Sequence, residues 1–149
     1  MRLALFQPDQ PPNVGTLLRF GACMGVPVDI IKPCGFPIGR EALRRSAMDY
    51  FDRVDLTIHD DWAAFQVGVA GRRVLLTTKA AAVYTDVAFE SGDVLLVGQE
   101  SSGAPDFVHE AAALRVRIPL ASGLRSINVA LAAAMVAGEA LRQTQGFPA

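Results

Sequence analysis

Charge is scarce in this chain. Asp, Glu, Lys and Arg make up only 19% of its residues, while 51% are apolar. The charged share lies below the quarter usual for soluble proteins. The 149 residues are enough for one domain with a real core, and a single domain over 1–149 is expected. A domain this poor in charge has more apolar surface than one core hides, which points to a subunit interface. A basic excess is missing too: 14 Lys and Arg stand against 15 Asp and Glu. Any nucleic-acid-binding surface must then be a local patch.

Cysteine is equally sparse. Cys23 and Cys34 have no zinc or redox spacing and read as two thiols in a reducing compartment. His59 and His109 stand alone, so no metal site is expected. No hydrophobic run is long enough for a bilayer: the longest uncharged one, Ser126 to Gly138, ends at Glu139. At the start, Gln7-Pro8-Asp9 interrupts the apolar residues before a signal-peptide core forms. The expectation is a soluble cytoplasmic protein without a membrane partner.

What is present alternates. Short apolar runs at Arg2–Phe6, Val28–Ile31, Val54–His59, Arg73–Thr77, Asp93–Val97 and Arg115–Ile118 read as strands. Most are continuously apolar, as strands covered on both faces are. Helical patterns lie between them, at Val14–Met24, Arg40–Ala47, Asp61–Ala70 and Pro105–Ala113. The last runs from about Ser126 to Gln143. Strand-helix alternation predicts an α/β domain with a mostly parallel sheet and helices on both faces.

The ordinary nucleotide signatures are absent. No Gly-x-Gly-x-x-Gly follows the first strand. Gly98 and Gly103 have phosphate-loop spacing, but Ala104-Pro105 stands where Lys-Ser/Thr would hold terminal phosphates. Three other loops carry unusual residues. In Pro12-Asn13-Val14-Gly15-Thr16-Leu17-Leu18-Arg19, Asn13 reads as a helix N-cap and Arg19 as a solvated guanidinium. In Gly98-Gln99-Glu100-Ser101-Ser102-Gly103, a strand ends in a polar loop, either a surface turn or a ligand loop. In Pro119-Leu120-Ala121-Ser122-Gly123-Leu124-Arg125-Ser126-Ile127-Asn128, Ser126 reads as a helix cap. Asn128 is a poor helix former that wants a partner.

Together, Asn13-x-Gly15-x-x-x-Arg19, Gly98-x-Glu100-x-x-Gly103 and Pro119…Ser126-x-Asn128 resemble the three motifs of the SPOUT 2′-O-ribose methyltransferases. The likeness spans essentially the whole chain. The short length, Ile30-Ile31-Lys32-Pro33-Cys34-Gly35-Phe36-Pro37 and Leu43-Arg44-Arg45-Ser46-Ala47-Met48-Asp49-Tyr50 resemble the tRNA wobble-nucleotide branch, TrmL. The chain departs from that branch at Phe51 (usually His), Gln99 (usually Pro), Ser102 (usually Arg), Ala130 (often polar) and Gly138 (commonly aromatic).

The resemblance implies a deep C-terminal trefoil knot whose loops bind S-adenosyl-L-methionine. It implies a homodimer with an active site drawing on both subunits. The reaction it implies is methylation of a ribose 2′-hydroxyl in tRNA, at the wobble cytidine or modified uridine of leucine tRNAs. The cofactor set would be Leu76, Thr77, Gly98, Glu100, Gly103, Ile118, Leu120, Ser126 and Asn128. Arg19, Asn13 and Glu100 would be catalytic. Arg19, a permanent cation, would hold phosphate or stabilise the alkoxide rather than act as base. Asn13 would orient Arg19 or the ribose, and Glu100 would fix the second-motif loop. Arg19, Lys32, Arg40, Arg44 and Arg45 would bind RNA. The alternatives are a non-catalytic SPOUT-like RNA- or cofactor-binding protein, a methyltransferase for another tRNA or rRNA ribose, and an unrelated nucleotide-binding module.

Overall fold

A computed structural model describes residues 1–149. The chain opens on an interior strand, β1 (Arg2–Phe6), whose last four residues are buried. Around it the chain forms β2 (Val28–Ile31), β3 (Leu56–His59), β4 (Arg73–Leu76), β5 (Ala82–Val83), β6 (Val94–Val97) and β7 (Leu114–Arg117). These make one sheet in the order β3-β2-β1-β6-β4-β7-β5. Every neighbouring pair is parallel. Four helices connect strands, α1 (Pro11–Met24), α2 (Arg40–Ala47), α3 (Trp62–Gly68) and α4 (Asp106–Ala111), and α5 (Val129–Gln143) follows β7. A 3₁₀ segment covers Met48–Arg53.

Strand alternation builds two cores. Leu3, Leu5, Val28, Ile30, Val74, Leu95 and Val97 face α1, α2 and α5. Ala4, Phe6, Ile31, Leu75, Val94 and Leu96 face the other way, onto Phe65 of α3 and Val108 of α4. Each fully buried Leu, Ile or Phe contributes about 1.5–3 kcal/mol. Two polar side chains interrupt this layer, Asp29, fully buried in β2, and His59 at the end of β3. The Asp29 carboxylate accepts from Arg2 Nε at 2.8 Å and Nη2 at 3.1 Å, and pairs with His59 Nε2 at 2.8 Å. His59 is thereby a structural partner, packed edge-on against Phe65. No helix is long and apolar enough to cross a membrane.

The expected strands β1 and β2 match residue for residue; the others shift at their ends. β3 starts at Leu56, β4 stops at Leu76, β6 begins at Val94 and β7 occupies Leu114–Arg117. Asp93 lies just outside β6 because its side chain binds Arg72 and the Glu90 amide. Thr77 turns out of β4, its hydroxyl accepting from the Lys79 amide.

Two helix starts are corrected. α1 begins at Pro11, with Gln10 at the N-cap and proline filling the first positions, where no amide partner is needed. Asn13 is therefore inside the first turn and does not cap. α5 begins at Val129, and its cap is Asn128 rather than Ser126. Asn128 Oδ1 accepts from the Ala130 amide at 2.8 Å and the Leu131 amide at 3.2 Å. α5 then packs Ala130, Ala133, Val136, Ala137, Ala140 and Leu141 into the first core. The alanines of α5 on this face thus serve the chain's own interior.

Candidate active site

The C-terminal ends of β4, β6 and β7 open into three loops, the edge where parallel α/β sheets hold ligands. Between them lies a cavity of about 350 Å³, at the lower end of the range for small-molecule sites. Leu76, Thr77, Gly98, Glu100, Gly103, Ile118, Leu120 and Ser126 all line it. Of the expected cofactor set, Asn128 alone lies outside the lining, occupied as the α5 cap.

The loop after β6 is closed on itself. Gln99 and Gly103 exchange backbone hydrogen bonds of 3.1 and 2.9 Å, and the Ser102 hydroxyl donates to Gln99 Oε1. Gln99 and Ser102 therefore stitch the loop with each other. Gly103 takes a left-handed φ of 71° to make this turn. Gly98 lies so close beneath it that an added Cβ would sit 2.5 Å from the Ala104 nitrogen.

Asp9, in the loop between β1 and α1, anchors the same loop. Its carboxylate accepts from the Glu100 amide at 3.1 Å, the Ser101 amide at 3.3 Å and the Ser101 hydroxyl. Burial acts to raise the Asp9 carboxyl, but the Ser101 hydroxyl and the two amides outweigh it and hold it below the usual carboxylate range.

Glu100, presented by this loop, accepts from Asn13 Nδ2. Asn13 Oδ1 accepts in turn from Asn128 Nδ2 at 2.8 Å. One residue from each sequence motif thus joins a single polar chain, with every donor facing an acceptor. The hydrogen bonds of the Asn13 side chain go to Glu100 and Asn128, and none goes to Arg19.

Arg19 is elsewhere. It is exposed on α1, its guanidinium 4.5 Å over the Tyr50 ring with Nη2 3.3 Å from the Tyr50 hydroxyl. It lines no part of the cavity. The basic patch is only partly free. Lys32 pairs with Asp60 at 2.9 Å and Arg44 with Asp52 at 2.8 Å. Arg40 and Arg44 share the Phe51 ring, at 5.4 and 5.5 Å. Arg45 is exposed on α2 and makes no ion pair.

Sequence reasoning missed several residues here, the charged and titratable ones among them. Lys79, His109 and Arg125 line the cavity, and Asp9 holds its loop. Asp9's neighbours Pro8 and Gln10 marked the end of a strand, but nothing local named partners 91 residues away.

The donor set fits S-adenosylmethionine. Leu76, Ile118, Leu120 and Val129 offer an aliphatic slot for a flat, uncharged ring, and the strand-end backbone supplies polar edges. Glu100 is the only carboxylate of the lining, while Lys79 and Arg125 are cations on it. That mixture suits a ligand carrying a cationic centre and an amino-acid end.

Residues 1–138 match the SpoU rRNA Methylase family. The tRNA (cytidine(34)-2′-O)-methyltransferase of Beijerinckia indica subsp. indica is 54% identical over 144 residues, covering 95% of this chain and 90% of that protein. A solved structure concerned with the 2-OH methylation of C/U34 on tRNA superposes with a TM-score of 0.89 at 36% identity, over 95% of this chain and 94% of the other. The AdoMet-bound rRNA methyltransferase of Sinorhizobium meliloti superposes with a TM-score of 0.83 at 25% identity, over 95% of this chain and 55% of that one.

Proposed function

The chain belongs to the SpoU rRNA methylase family, and from that premise we propose that it methylates the ribose 2′-hydroxyl of the wobble nucleotide, C34 or a modified U34, in tRNA. Leucine tRNAs are the substrates we assign, and S-adenosylmethionine the donor. One observation carries the reading: the polar chain Glu100–Asn13–Asn128 unites all three motifs beside a cavity built for a nucleoside-like ligand.

Leu76, Ile118 and Leu120 would hold the cofactor's ring, and the backbone from Gly98 to Gly103 its polar edges. When bound, the cofactor supplies a methyl group already activated by its positive sulfur. The protein's task is to place a weakly acidic ribose hydroxyl in line with it. The Asn13–Asn128 bond and the Asp9 anchor pre-set the loop bearing Glu100, so little rearrangement is needed at the moment of reaction.

Arg19 serves a tRNA phosphate or the developing alkoxide. Its position outside its own cavity is understandable in a homodimer, where it faces the partner's site. An apolar stripe supports such an assembly: Leu124, Ile127, Leu131 and Met135 are exposed along the last loop and one face of α5. Lys32, Arg40, Arg44 and Arg45 extend the RNA surface, presented twice. The C-terminal trefoil knot belongs to the same reading. It is supported by β4 lying between β6 and β7, and by the return of α5 onto α1 after the 118–128 loop. The enzyme acts in the cytoplasm, where tRNA is modified.

The test is methylation of total tRNA from a strain lacking the protein, followed by mapping of the modified nucleoside. A 2′-O-methyl group at the wobble position of leucine tRNAs is expected. Transfer to another position, or to no ribose, refutes the assignment.

A further inference from the structure

The Asp9 carboxylate has no place among the motif residues, yet three of the contacts that hold the cofactor-side loop converge on it. Its Oδ1 takes the Glu100 amide, and its Oδ2 takes both the amide and the hydroxyl of Ser101. These groups flank the residue whose side chain reaches Asn13. Moving the 100–101 backbone therefore moves Glu100 with it. A carboxylate accepting charge-assisted bonds from adjacent amides makes a stiff anchor.

Asp9 also touches the RNA side. Gly35 lies over it, so close that a Cβ on Gly35 would stand 2.7 Å from Asp9 Cβ. The Gly35 amide donates to the Pro8 carbonyl at 3.0 Å. Gly35 belongs to the turn joining β2 to α2, which has Lys32 at one end and Arg40 at the other. One aspartate thus lies between the loop that shapes the cofactor cavity and the turn that leads into the basic patch.

We infer that Asp9 is a positioning residue of the methyl transfer, which sets Glu100 through the 100–101 backbone and seats that loop against the Gly35 turn. The inference rests on the methyltransferase reading above. Asp9 touches neither substrate; it acts through the loop. An amide at this position keeps the volume but turns an N–H towards a backbone N–H, so one of its oxygen's bonds becomes a repulsion.

The test compares wild type with Asp9→Asn, Asp9→Glu and Ser101→Ala. The measurements are single-turnover methyl transfer at saturating tRNA and S-adenosylmethionine, cofactor titration, tRNA binding and thermal unfolding. In Asp9→Asn the rate is expected to fall roughly tenfold to a hundredfold, the usual consequence of a small misplacement of a reacting centre. Cofactor binding weakens while tRNA affinity holds. Asp9→Glu, which keeps two acceptor oxygens, recovers part of the rate. Ser101→Ala, which removes one of the three bonds, loses less than Asp9→Asn.

Wild-type turnover and cofactor affinity in Asp9→Asn overturn the inference, as does a loss that Asp9→Glu leaves unrepaired. Should Asp9→Asn not fold, Ser101→Ala decides: reduced turnover in stable protein supports the anchor, and unchanged turnover overturns it. Should the wild type transfer no methyl group, the functional reading fails instead. Cofactor titration of the same variants then still reports whether Asp9 sets the loop.

Discussion

Asn128 Nδ2 donates to Asn13 Oδ1 at 2.8 Å, tying the start of α5 to the first turn of α1 across 115 residues of chain. The same Asn128 caps α5 with its oxygen, so one amide serves two ends of the fold at once. Its two functions separate by substitution. Asn128→Ala removes both and should cost about 1 kcal/mol of stability, the ordinary worth of a cap. Asn128→Ser keeps a capping oxygen but has no N–H₂ to reach Asn13. Near-native thermal unfolding with sharply reduced methyl transfer is expected for the serine variant. Native activity would show that the link to Asn13 has no part in the reaction.

Gly98 is expected to tolerate no side chain. A Cβ there would collide with the Gly103 carbonyl carbon and the Ala104 nitrogen, both at 2.5 Å. These are backbone atoms of a loop already pinned by two reciprocal bonds, so they have little room to yield. Gly98→Ala should therefore reopen the loop and weaken cofactor binding by an order of magnitude or more, roughly what a displaced site costs. Calorimetric titration with S-adenosylmethionine checks it; unchanged affinity would contradict the proposed position of the cofactor.

Leu131 and Met135 stand on one face of α5, 61% and 44% exposed, in a chain otherwise poor in charge. This is the face proposed above for the dimer contact, since contiguous exposed apolar side chains are what a subunit interface covers. Leu131→Arg should convert a dimer into a monomer with little change in secondary structure, and should abolish methyl transfer if the site draws on both subunits. Sedimentation velocity of wild type and variant at micromolar concentration decides between this and a monomeric enzyme.

The two thiols should differ in reactivity. Cys23 is exposed on α1, whereas Cys34 is half-buried in the turn between β2 and α2. Burial pushes the Cys34 thiol up to about 11, against the pull of Lys32. The thiolate is the nucleophile, so Cys34 is almost wholly unreactive at pH 8 and gains reactivity only as the pH approaches that value. Iodoacetamide at pH 8 should label Cys23 alone in the folded protein. Equal labelling would mean that the 33–39 turn opens freely.

The legible parts of this protein were those written in local pattern. β1 is apolar from Leu3 to Phe6 and β2 is apolar apart from Asp29; the breaks at Pro8 and at Lys32-Pro33 let both bounds be read directly. β5, at two residues, carries no periodicity to find. Asn13 looked like a cap because Asn often is one; its partners, Glu100 and Asn128, are distant, and tertiary bonding took precedence over the local role. Asp9 was invisible for a related reason, since two of its three bonds go to backbone amides, which any residue offers. The cavity lining was recovered through motif resemblance, since isolated Leu76 and Ile118 signal nothing by themselves.

Arg19 offers the sharpest test of mechanism, because its structural role is small and can be measured separately. In the folded chain it makes one stack and one 3.3 Å hydrogen bond, both with Tyr50 and both exposed. An exposed cation–π contact is worth about 0.5–1 kcal/mol, so Arg19→Ala should unfold only slightly earlier than wild type. If the guanidinium holds a phosphate or the developing alkoxide, methyl transfer should fall by two or more orders of magnitude, since losing one such donor costs about 2.7–4 kcal/mol. Cofactor affinity should be unaffected, as Arg19 lines no part of its own cavity. Arg19→Lys should also fail, because lysine keeps the charge but lacks the planar fork. Tyr50→Phe keeps the stack and removes only the hydroxyl bond, so it should lose far less than either. Mixing Arg19→Ala chains with chains inactivated at Asn13 supplies the decisive measurement. If Arg19 serves the partner's site, mixed dimers regain one working site and part of the activity; if it serves its own, mixing restores nothing.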